Sequence, residues 1–396
     1  MTEINLDMFQ AGAVAALVYC LGRFLIEKVP VLNKYCIPAP VVGGLIFSIL
    51  NLCLHLSGIA EIGFDSTLQT VFMTIFFCTV GFTACFSLLK KGGIQVLMYL
   101  GLALGMVILQ DLIGGGLAGV FGIDPKLGLC MGSIPLVGGH GTSAAFGPML
   151  EKNFGVVGAT TVAIAAATFG LVAGGVMGGP LARRRIQKHG LHSTALEENI
   201  TDAEAEEKTT IHPQRFVNAS LFIAVAIGAG TLVVALFKSW GITVPGYIGA
   251  MLVAVVIRNV WDAGKKEVPM PEIDSLGNLS LQLFLAMALM GLKLWQLASL
   301  AVPMIVILLV QTILMASYAY FAVFNLMGRD YEAAAMTTAF CGFGMGATPN
   351  AMANMGVLAD RYGPCPRAYF IVPLVGSLFI DMFNSGILTI FINLFP

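Results

Sequence analysis

Two glycine-rich stretches, each set between apolar runs, most constrain what this chain can fold into. The first covers residues 138–143 (GGHGTS) and the second residues 342–350 (GFGMGATPN), so Thr142 and Thr348 lie 206 residues apart. Glycine-rich backbone is tolerated at membrane depth only where protein or a water-filled cavity satisfies its N–H and C=O groups. A pair of such interruptions, one in each half, is the best sequence pointer to the binding site of a secondary transporter.

The composition requires a membrane environment. The chain is 57% apolar and only 11% charged, whereas a soluble domain has about 25% charged residues. The formal net charge of −1 gives no reason to expect a nucleic-acid partner. The first nine residues carry acidic but no basic side chains, unlike a secretory signal peptide, so we expect the first span to be retained. The eight cysteines form no C-x-x-C pair and are interpreted as packing residues. The sequence predicts an all-α polytopic protein of the lipid bilayer.

Apolar windows near the roughly 20 residues that a spanning helix needs occur five times in each half. They fall at residues 8–27, 38–56, 67–89, 94–120 and 156–181, and again at 216–237, 244–261, 275–298, 302–326 and 368–394. Between the fourth and fifth window of each half lies a glycine-broken segment, residues 127–150 and 332–358, which we interpret as a re-entrant hairpin. The predicted domains are an N-terminal repeat (1–181), a cytoplasmic linker (182–215) and a C-terminal repeat (216–396).

The positive charges predict the orientation. With the N-terminus placed outside, seventeen Lys and Arg residues fall on the cytoplasmic side and only four fall outside, namely Lys126, Lys152, Lys238 and Lys293. An excess of Lys and Arg marks cytoplasmic segments. The linker begins with three arginines at 183–185 and then turns acidic, so we expect a disordered or loosely helical tether.

The two halves share landmarks at a nearly constant offset of 201 to 210 residues. The pairs are Pro38 and Pro245, Gly43 and Gly249, Asp65 and Asp274, Gly81 and Gly291, Gln110 and Gln311, Asp124 and Asp330, Gly155 and Gly363, and Gly170 and Gly376. An odd number of spans in each half turns the second copy upside down. The sequence therefore predicts two inverted-topology repeats of five transmembrane helices, whose hairpin tips meet near the midplane.

Several motifs resemble the bacterial sodium:glutamate symporters, and the likeness covers nearly the whole chain. They are GGHGT at 138–142, FLAMALMGLKLW at 284–295, GFGMGATP at 342–349, AMANM at 351–355, and VP at 372–373 followed by FID at 379–381. The resemblance implies sodium-coupled uptake of L-glutamate, with sodium as the co-transported ion, in a homodimer of the bacterial inner (plasma) membrane. It also implies an elevator-type movement of a transport domain.

The hairpin tips are the predicted substrate site. Glutamate carries two carboxylates, and the membrane-depth segments offer no Lys or Arg to meet them. Helix N-termini can take that role, because their free N–H groups act as partial positive charges. The candidate substrate residues are Gly138, Gly139, His140, Gly141, Thr142, Ser143, Gly344, Gly346, Thr348 and Asn350. Capping and hairpin packing are the alternative interpretation of the same side chains.

A carboxylate within the last span points to the coupling ion. Asp381 at bilayer depth costs about 2.5–3.5 kcal/mol on insertion scales, so it needs a partner. Sodium prefers oxygen ligands, and the candidate sodium ligands are Asp381, Asn384, Asn350 and Asp111. The alternative is a carboxylate that caps the backbone of the second hairpin.

Other function classes fit less well. A channel favours a continuous pore over opposed hairpins, and neither H-E-x-x-H nor G-x-S-x-G occurs to indicate an intramembrane enzyme. A transporter of another small carboxylate and a sodium/proton antiporter stay open as alternatives, since an antiporter shares inverted repeats and a buried Asp. Arg361 and Arg367 are interpreted as cytoplasmic anchors rather than substrate clamps.

Overall fold

The structure, a computed structural model, describes residues 2–30, 32, 38–86, 93–193, 212–240, 246–296 and 300–395. Its first half contains β1 (Thr2–Leu6), α1 (Met8–Lys28), α2 (Ala39–Leu56), β2 (Ala60–Phe64), α3 (Thr67–Thr83), α4 (Gly93–Val120), α5 (Pro125–Leu129), α6 (Ser133–Leu136), α7 (Gly139–Phe154) and α8 (Ala159–His189). Its second half contains α9 (Pro213–Ser239), α10 (Gly246–Ala263), α11 (Met270–Met290), α12 (Ala301–Leu326), α13 (Tyr331–Gly344), α14 (Thr348–Tyr362), α15 (Pro366–Pro373) and α16 (Ile380–Leu394).

Eight of the described helices are long and apolar enough to cross a membrane. They are α1, α2, α4 and α8 to α12, and a ninth is counted if α15 and α16, bent by 41°, form one broken span. Helix α3 is apolar but has only 17 residues. The protein is therefore a multi-pass, helical membrane protein, as the composition predicts.

Three predicted windows need correction. The 67–89 window stops at Thr83, because the Asn259 side chain accepts from the N–H of Phe86 (2.8 Å) and donates to the Ala84 carbonyl (2.8 Å). The 275–298 window is a helix that begins earlier, after Pro269, and ends at Gly291. The 368–394 window is broken by a π-helical segment, Leu374–Phe379, which follows Pro373. Proline has no N–H to continue the regular ladder.

The linker is shorter than predicted at both ends. Helix α8 carries the three arginines at 183–185 and continues to His189, where Gly190 ends it at a φ of +61°. Helix α9 begins at Pro213, within the predicted linker. Residues 194–211, with the acidic run, lie outside the described residues, as does Pro245.

A short parallel sheet was not predicted, so the all-α description is incomplete. Strands β1 and β2 pair from Thr2 with Ala60 to Leu6 with Phe64. The Asn51 side chain accepts from the N–H of Ile62 (3.0 Å) and donates to its carbonyl (3.3 Å), which fixes the inner strand to α2. Five-residue strands next to spanning windows leave little periodicity to detect.

Glycines bring two pairs of helices into backbone contact at equivalent places. A Cβ on Gly43 of α2 would collide with the Val18 carbonyl of α1. A Cβ on Gly249 of α10 would collide with the Gly230 carbonyl of α9. Glycine is what allows such close approach. The predicted landmark pair Gly43 and Gly249 thus has the same packing role in both halves.

The largest buried cluster joins the two hairpin segments with α4, α8 and the last span. A smaller cluster joins α3, α9, α10 and α11, and a third joins α1 and α11. Helix α9 is the most exposed of the eight candidate spans, with 17% of its apolar window buried. The hairpins therefore lie inside the protein, and the outer helices present apolar faces outward.

Candidate functional site

Both predicted hairpin segments are helix–break–helix units with matching ends. The Asp124 side chain accepts from the Lys126 N–H (2.8 Å) at the start of α5. The Asp330 side chain accepts from the Ala333 N–H (2.8 Å) at the start of α13. Gly155 and Gly363, with positive φ values of 72° and 100°, end the returning helices α7 and α14. Aspartate caps and glycine ends are the expected start and stop signals.

The tips of the two units meet. Gly139, the first residue of α7, has a φ of +60°, and an added Cβ there would lie 3.1 Å from the Gly346 carbonyl oxygen. Gly346 precedes α14 by two residues. The N-terminal ends of two helices, one from each half, therefore face a shared point in the buried centre. Gly141, two residues further along α7, lies beside Phe76 of α3 and Leu281 of α11.

Most polar side chains at the tips bond to neighbouring backbone. Ser143 donates to the Gly139 carbonyl (2.7 Å), Thr348 to the Gly376 carbonyl (2.7 Å), and Asn350 to the Leu171 carbonyl (2.7 Å). His140 Nε2 lies 3.0 Å from the Thr168 hydroxyl. That hydroxyl donates to Ile164, so it accepts from the imidazole. In this conformation these side chains hold the tips in place.

The other predicted tip residues present backbone and small surface. Thr142 is buried, and Gly138 packs so closely on it that a Cβ would collide with its side chain. Gly344 lies against the Met315 side chain, and an added Cβ would lie 2.6 Å from Met315 Cε. Apart from Thr142, these tip residues therefore offer peptide groups rather than polar side chains.

Two buried glutamines support the second tip, and sequence reasoning treated them only as repeat landmarks. Gln110 of α4 donates to the Gly344 carbonyl (2.9 Å), and Gln311 of α12 donates to the Gln110 carbonyl (2.7 Å). Both side chains are fully buried. Burying an amide without hydrogen-bond partners is costly. Glutamines at matching places in two apolar windows are therefore a sequence signal for a pair of supporting side chains.

A buried polar cluster ties the first hairpin to the last span. Ser133 donates its N–H to Asp111 Oδ1 (2.9 Å), and its hydroxyl lies 2.9 Å from Asp111 Oδ2 and 2.8 Å from Asn384 Oδ1. A hydroxyl has one hydrogen, so it cannot serve both acceptors. The structure thus brings together two predicted sodium ligands through Ser133, which sequence reasoning missed.

Asp381 lies one helical turn before Asn384 and is partly buried. Among the residues that the structure describes, no hydrogen bond or ion pair reaches its carboxylate. The Tyr247 ring lies nearby and stacks on Phe77 at 3.9 Å between centroids. A partly buried carboxylate that no described residue contacts through a hydrogen bond or ion pair is expected to bind another partner.

Asn350 does not share the hydrogen-bonded cluster of Asp111, Ser133 and Asn384. Its amide is bonded to α8, and no hydrogen bond of the described residues joins it to Asp381, Asn384 or Asp111. In the described chain no group of three His, Cys, Asp or Glu side chains gathers to hold a metal. A cation here has to be held by one or two carboxylates together with amide, hydroxyl and peptide oxygens.

The last span contacts both hairpins. The carbonyl of Gly376, within its π-helical segment, accepts from Thr348 of the second hairpin, and Asn384 lies against Ser133 of the first. Asp381 lies between these two attachment points. π-helical segments are frequent at functional sites. A change in the charge of Asp381 therefore affects a segment that is hydrogen-bonded to both hairpins.

Arg367 is occupied by a structural ion pair. Its guanidinium contacts both oxygens of Asp330, at 2.7 and 2.8 Å. That pairing agrees with an anchor and leaves the tips without an arginine. The N-terminal ends of α7 and α14 are the remaining candidates for positive character at the tips.

Comparison with known proteins matches one family over nearly the whole chain. The sodium/glutamate symporter family matches residues 4–364. The chain is 40% identical to a sodium/glutamate symporter of Escherichia coli (strain K12) over 98% of both chains, and 37% identical to one of Haemophilus influenzae over 96% of both chains. A sodium proton antiporter structure, MjNhaP1 from Methanocaldococcus jannaschii, overlaps 97% of this chain and 95% of its own at 14% identity, with a TM-score of 0.44.

Proposed function

The chain belongs to the sodium/glutamate symporter family, and we propose that it carries L-glutamate into the bacterial cell together with sodium. The predicted family is confirmed, and the family is one of transporters, not enzymes. The observation in the structure that carries the proposal is the meeting of two glycine-rich hairpin tips, one from each half. Because the relatives are named for sodium and glutamate, the antiporter and other-carboxylate alternatives are not favoured.

We infer that the two halves are inverted repeats. Helix α3 ends beside Asn259 near the end of α10, and α11 begins just after α10, so equivalent helices α3 and α11 run in opposite directions. The shared helix caps at Asp124 and Asp330 and the shared contacts at Gly43 and Gly249 support the same view. Hairpins from opposite faces then suit an elevator-type movement, in which the tips carry substrate across as one body.

Glutamate binds between the tips, with its carboxylates toward the N-terminal ends of α7 and α14. Each helix is about four turns long, and its free N–H groups attract anions. The bonds from Ser143, Thr348 and Asn350 to backbone fix the geometry of those peptide groups. Specificity comes from a preorganised backbone cradle rather than from arginine side chains.

Sodium binds between the last span and the first hairpin. Asp381 supplies the negative charge, and Asn384 and Asp111 supply further oxygens. Ser133 Oγ lies 2.9 Å from Asp111 Oδ2 and 2.8 Å from Asn384 Oδ1, and this cluster of buried oxygen atoms supports a cation site here because hard cations prefer oxygen ligands. Asn350 is reassigned to the support of the second tip.

Reconstituted protein is expected to accumulate labelled L-glutamate only under an inward sodium gradient. The physical reason is that the carboxylates at the sodium site are neutralised by the ion before the tips close on substrate. Uptake into proteoliposomes with sodium outside is compared with uptake when choline replaces sodium. Equal accumulation under both conditions would show that sodium does not drive the transport.

The charge distribution predicts which end of each helix faces the cytoplasm. In a cysteine-free background, Lys152→Cys at the end of α7 should react with an impermeant maleimide added outside. Lys188→Cys, in the last turn of α8 beyond the arginines, should react only after the membrane is permeabilised. The opposite pattern would reverse the topology.

A homodimer is the expected assembly. The exposed apolar residues of α9, such as Leu221, Val225 and Leu232, offer a face for a second copy or for lipid. Native mass spectrometry from a mild detergent should give twice the chain mass of 41.8 kDa. A single-chain mass at all protein concentrations would contradict the dimer.

A further inference from the structure

A cleft separate from the hairpin tips opens at the end of the molecule that carries β1 and β2. It has a volume of about 490 Å³ and lies between α3 and α11 on one side and the ends of α7 and α8 on the other. Its lining includes Gln69, Glu151, Thr160 and Lys293. The volume falls within the range of small-molecule sites, about 300–1,000 Å³.

The cleft leads toward the first hairpin tip. Gly141 at that tip lies beside Phe76 of α3 and Leu281 of α11. Pro148, Gln69 and Ala288, which line the cleft, are each seven residues from those three positions along the same helices. Seven residues of α-helix span about 10 Å. The floor of the cleft therefore lies roughly one small molecule's length from the candidate substrate site.

Lys293 is the single cation among the residues that line the cleft, and Glu151 is the single carboxylate. Glu151 is turned toward the start of α8, where its Oε1 accepts from the Thr160 N–H (2.9 Å). Lys293 Nζ donates to Glu61 Oε1 in β2 (3.1 Å). An ammonium group has three donors, so two remain for a ligand.

The Lys293 contact is an ionised pair at neutral pH. The hydrogen bond from Lys293 holds the pKa of Glu61 below its ordinary value, and Glu61 also bonds to His55 Nδ1 (3.2 Å). The His55 ring stacks on Trp295 at 3.9 Å between centroids. The lysine is thus held at the cleft by a small cluster, although its side chain is 53% exposed.

We propose that this cleft is the extracellular entry for substrate and that Lys293 captures a carboxylate of glutamate there before it reaches the hairpin tips. The inference rests on the proposed function. The tips themselves carry no Lys or Arg, so an anion that approaches them needs an attractive charge on the way in. A largely exposed lysine provides attraction that is weak enough to release the substrate inward.

The test is the kinetics of sodium-driven glutamate uptake in proteoliposomes. Lys293→Gln should raise KM about threefold to tenfold and leave kcat within about twofold, since capture affects encounter and not the later steps. Lys293→Arg should keep KM near that of the wild type. Lys238→Gln removes another predicted external charge, at the end of α9 outside the cleft lining, and should change neither constant.

Ionic strength and the partner residue separate capture from a structural role. Added choline chloride should raise the KM of the wild type and have little effect on Lys293→Gln, because salt screens an exposed charge. Glu61→Gln removes the tether but keeps the ammonium, and should leave KM unchanged or lower. If Lys293→Gln keeps the wild-type KM, or lowers kcat alone, the capture role is wrong while sodium-driven transport stands. If the wild type itself shows no sodium-driven glutamate uptake, both proposals fail.

Discussion

Replacing Gly139 with alanine is expected to lower glutamate affinity by more than tenfold. Gly139 has a φ of +60°, and its added Cβ would lie 3.1 Å from the Gly346 carbonyl of the opposite tip. A side chain in the left-handed region costs roughly 1–2 kcal/mol, and the new methyl also pushes apart the two helix ends that meet the carboxylates. A tenfold loss corresponds to about 1.4 kcal/mol. Glutamate binding to purified protein at saturating sodium measures it.

Gly122→Ala is the matched control. Gly122 has nearly the same φ, +69°, but nothing lies within 4 Å of an added Cβ. Both variants place a side chain in the left-handed region, and only Gly139→Ala disturbs the contact between the tips. Comparable glutamate affinity in the two variants would mean that the tips do not bind substrate. Gly141 and Gly346 are weaker choices, since neither has a positive φ.

Replacing Asp381 with asparagine is expected to lower sodium affinity by tenfold or more. The substitution keeps the shape and one oxygen but removes the charge that attracts the ion. Each tenfold change is about 1.4 kcal/mol, which is modest for a partly buried carboxylate that forms no hydrogen bond or ion pair with the described residues. Because linkage is reciprocal, glutamate affinity at fixed subsaturating sodium should fall as well, and high sodium should partly restore it.

Asp360→Asn, an exposed acid on α14, is the control and should behave as the wild type. The measurement is glutamate binding to each variant across a sodium titration. An unchanged sodium dependence in Asp381→Asn would leave Asp381 as a structural residue. A loss that high sodium cannot restore at all would indicate a distorted last span rather than a weakened ion site.

The paired hairpins were predictable because glycine-rich backbone inside an apolar window has few stable solutions. The caps at Asp124 and Asp330 and the ends at Gly155 and Gly363 follow from local backbone chemistry, so the sequence carries them directly. The eight long apolar helices follow in the same way from hydropathy.

The features that the sequence did not predict depend on which helices pack against each other. The early end of α3 is set by a tertiary partner, the Asn259 side chain of α10. Ser133 gained its role from Asp111 and Asn384, which are 22 and 251 residues away along the chain. Thr348 and Asn350 lie in the first turn of α14, and only the fold shows that their side chains reach backbone of other helices.

Sodium at the last span and glutamate at the hairpin tips are expected to bind cooperatively, and equilibrium binding to the purified wild type measures this coupling. Glutamate affinity is measured by calorimetry without sodium and at saturating sodium, and sodium affinity is measured without and with saturating glutamate. Linkage requires the same factor in both directions, and we expect at least tenfold tightening of each ligand by the other. Glutamate binding that is equally tight without sodium would mean that the two ligands are not coupled.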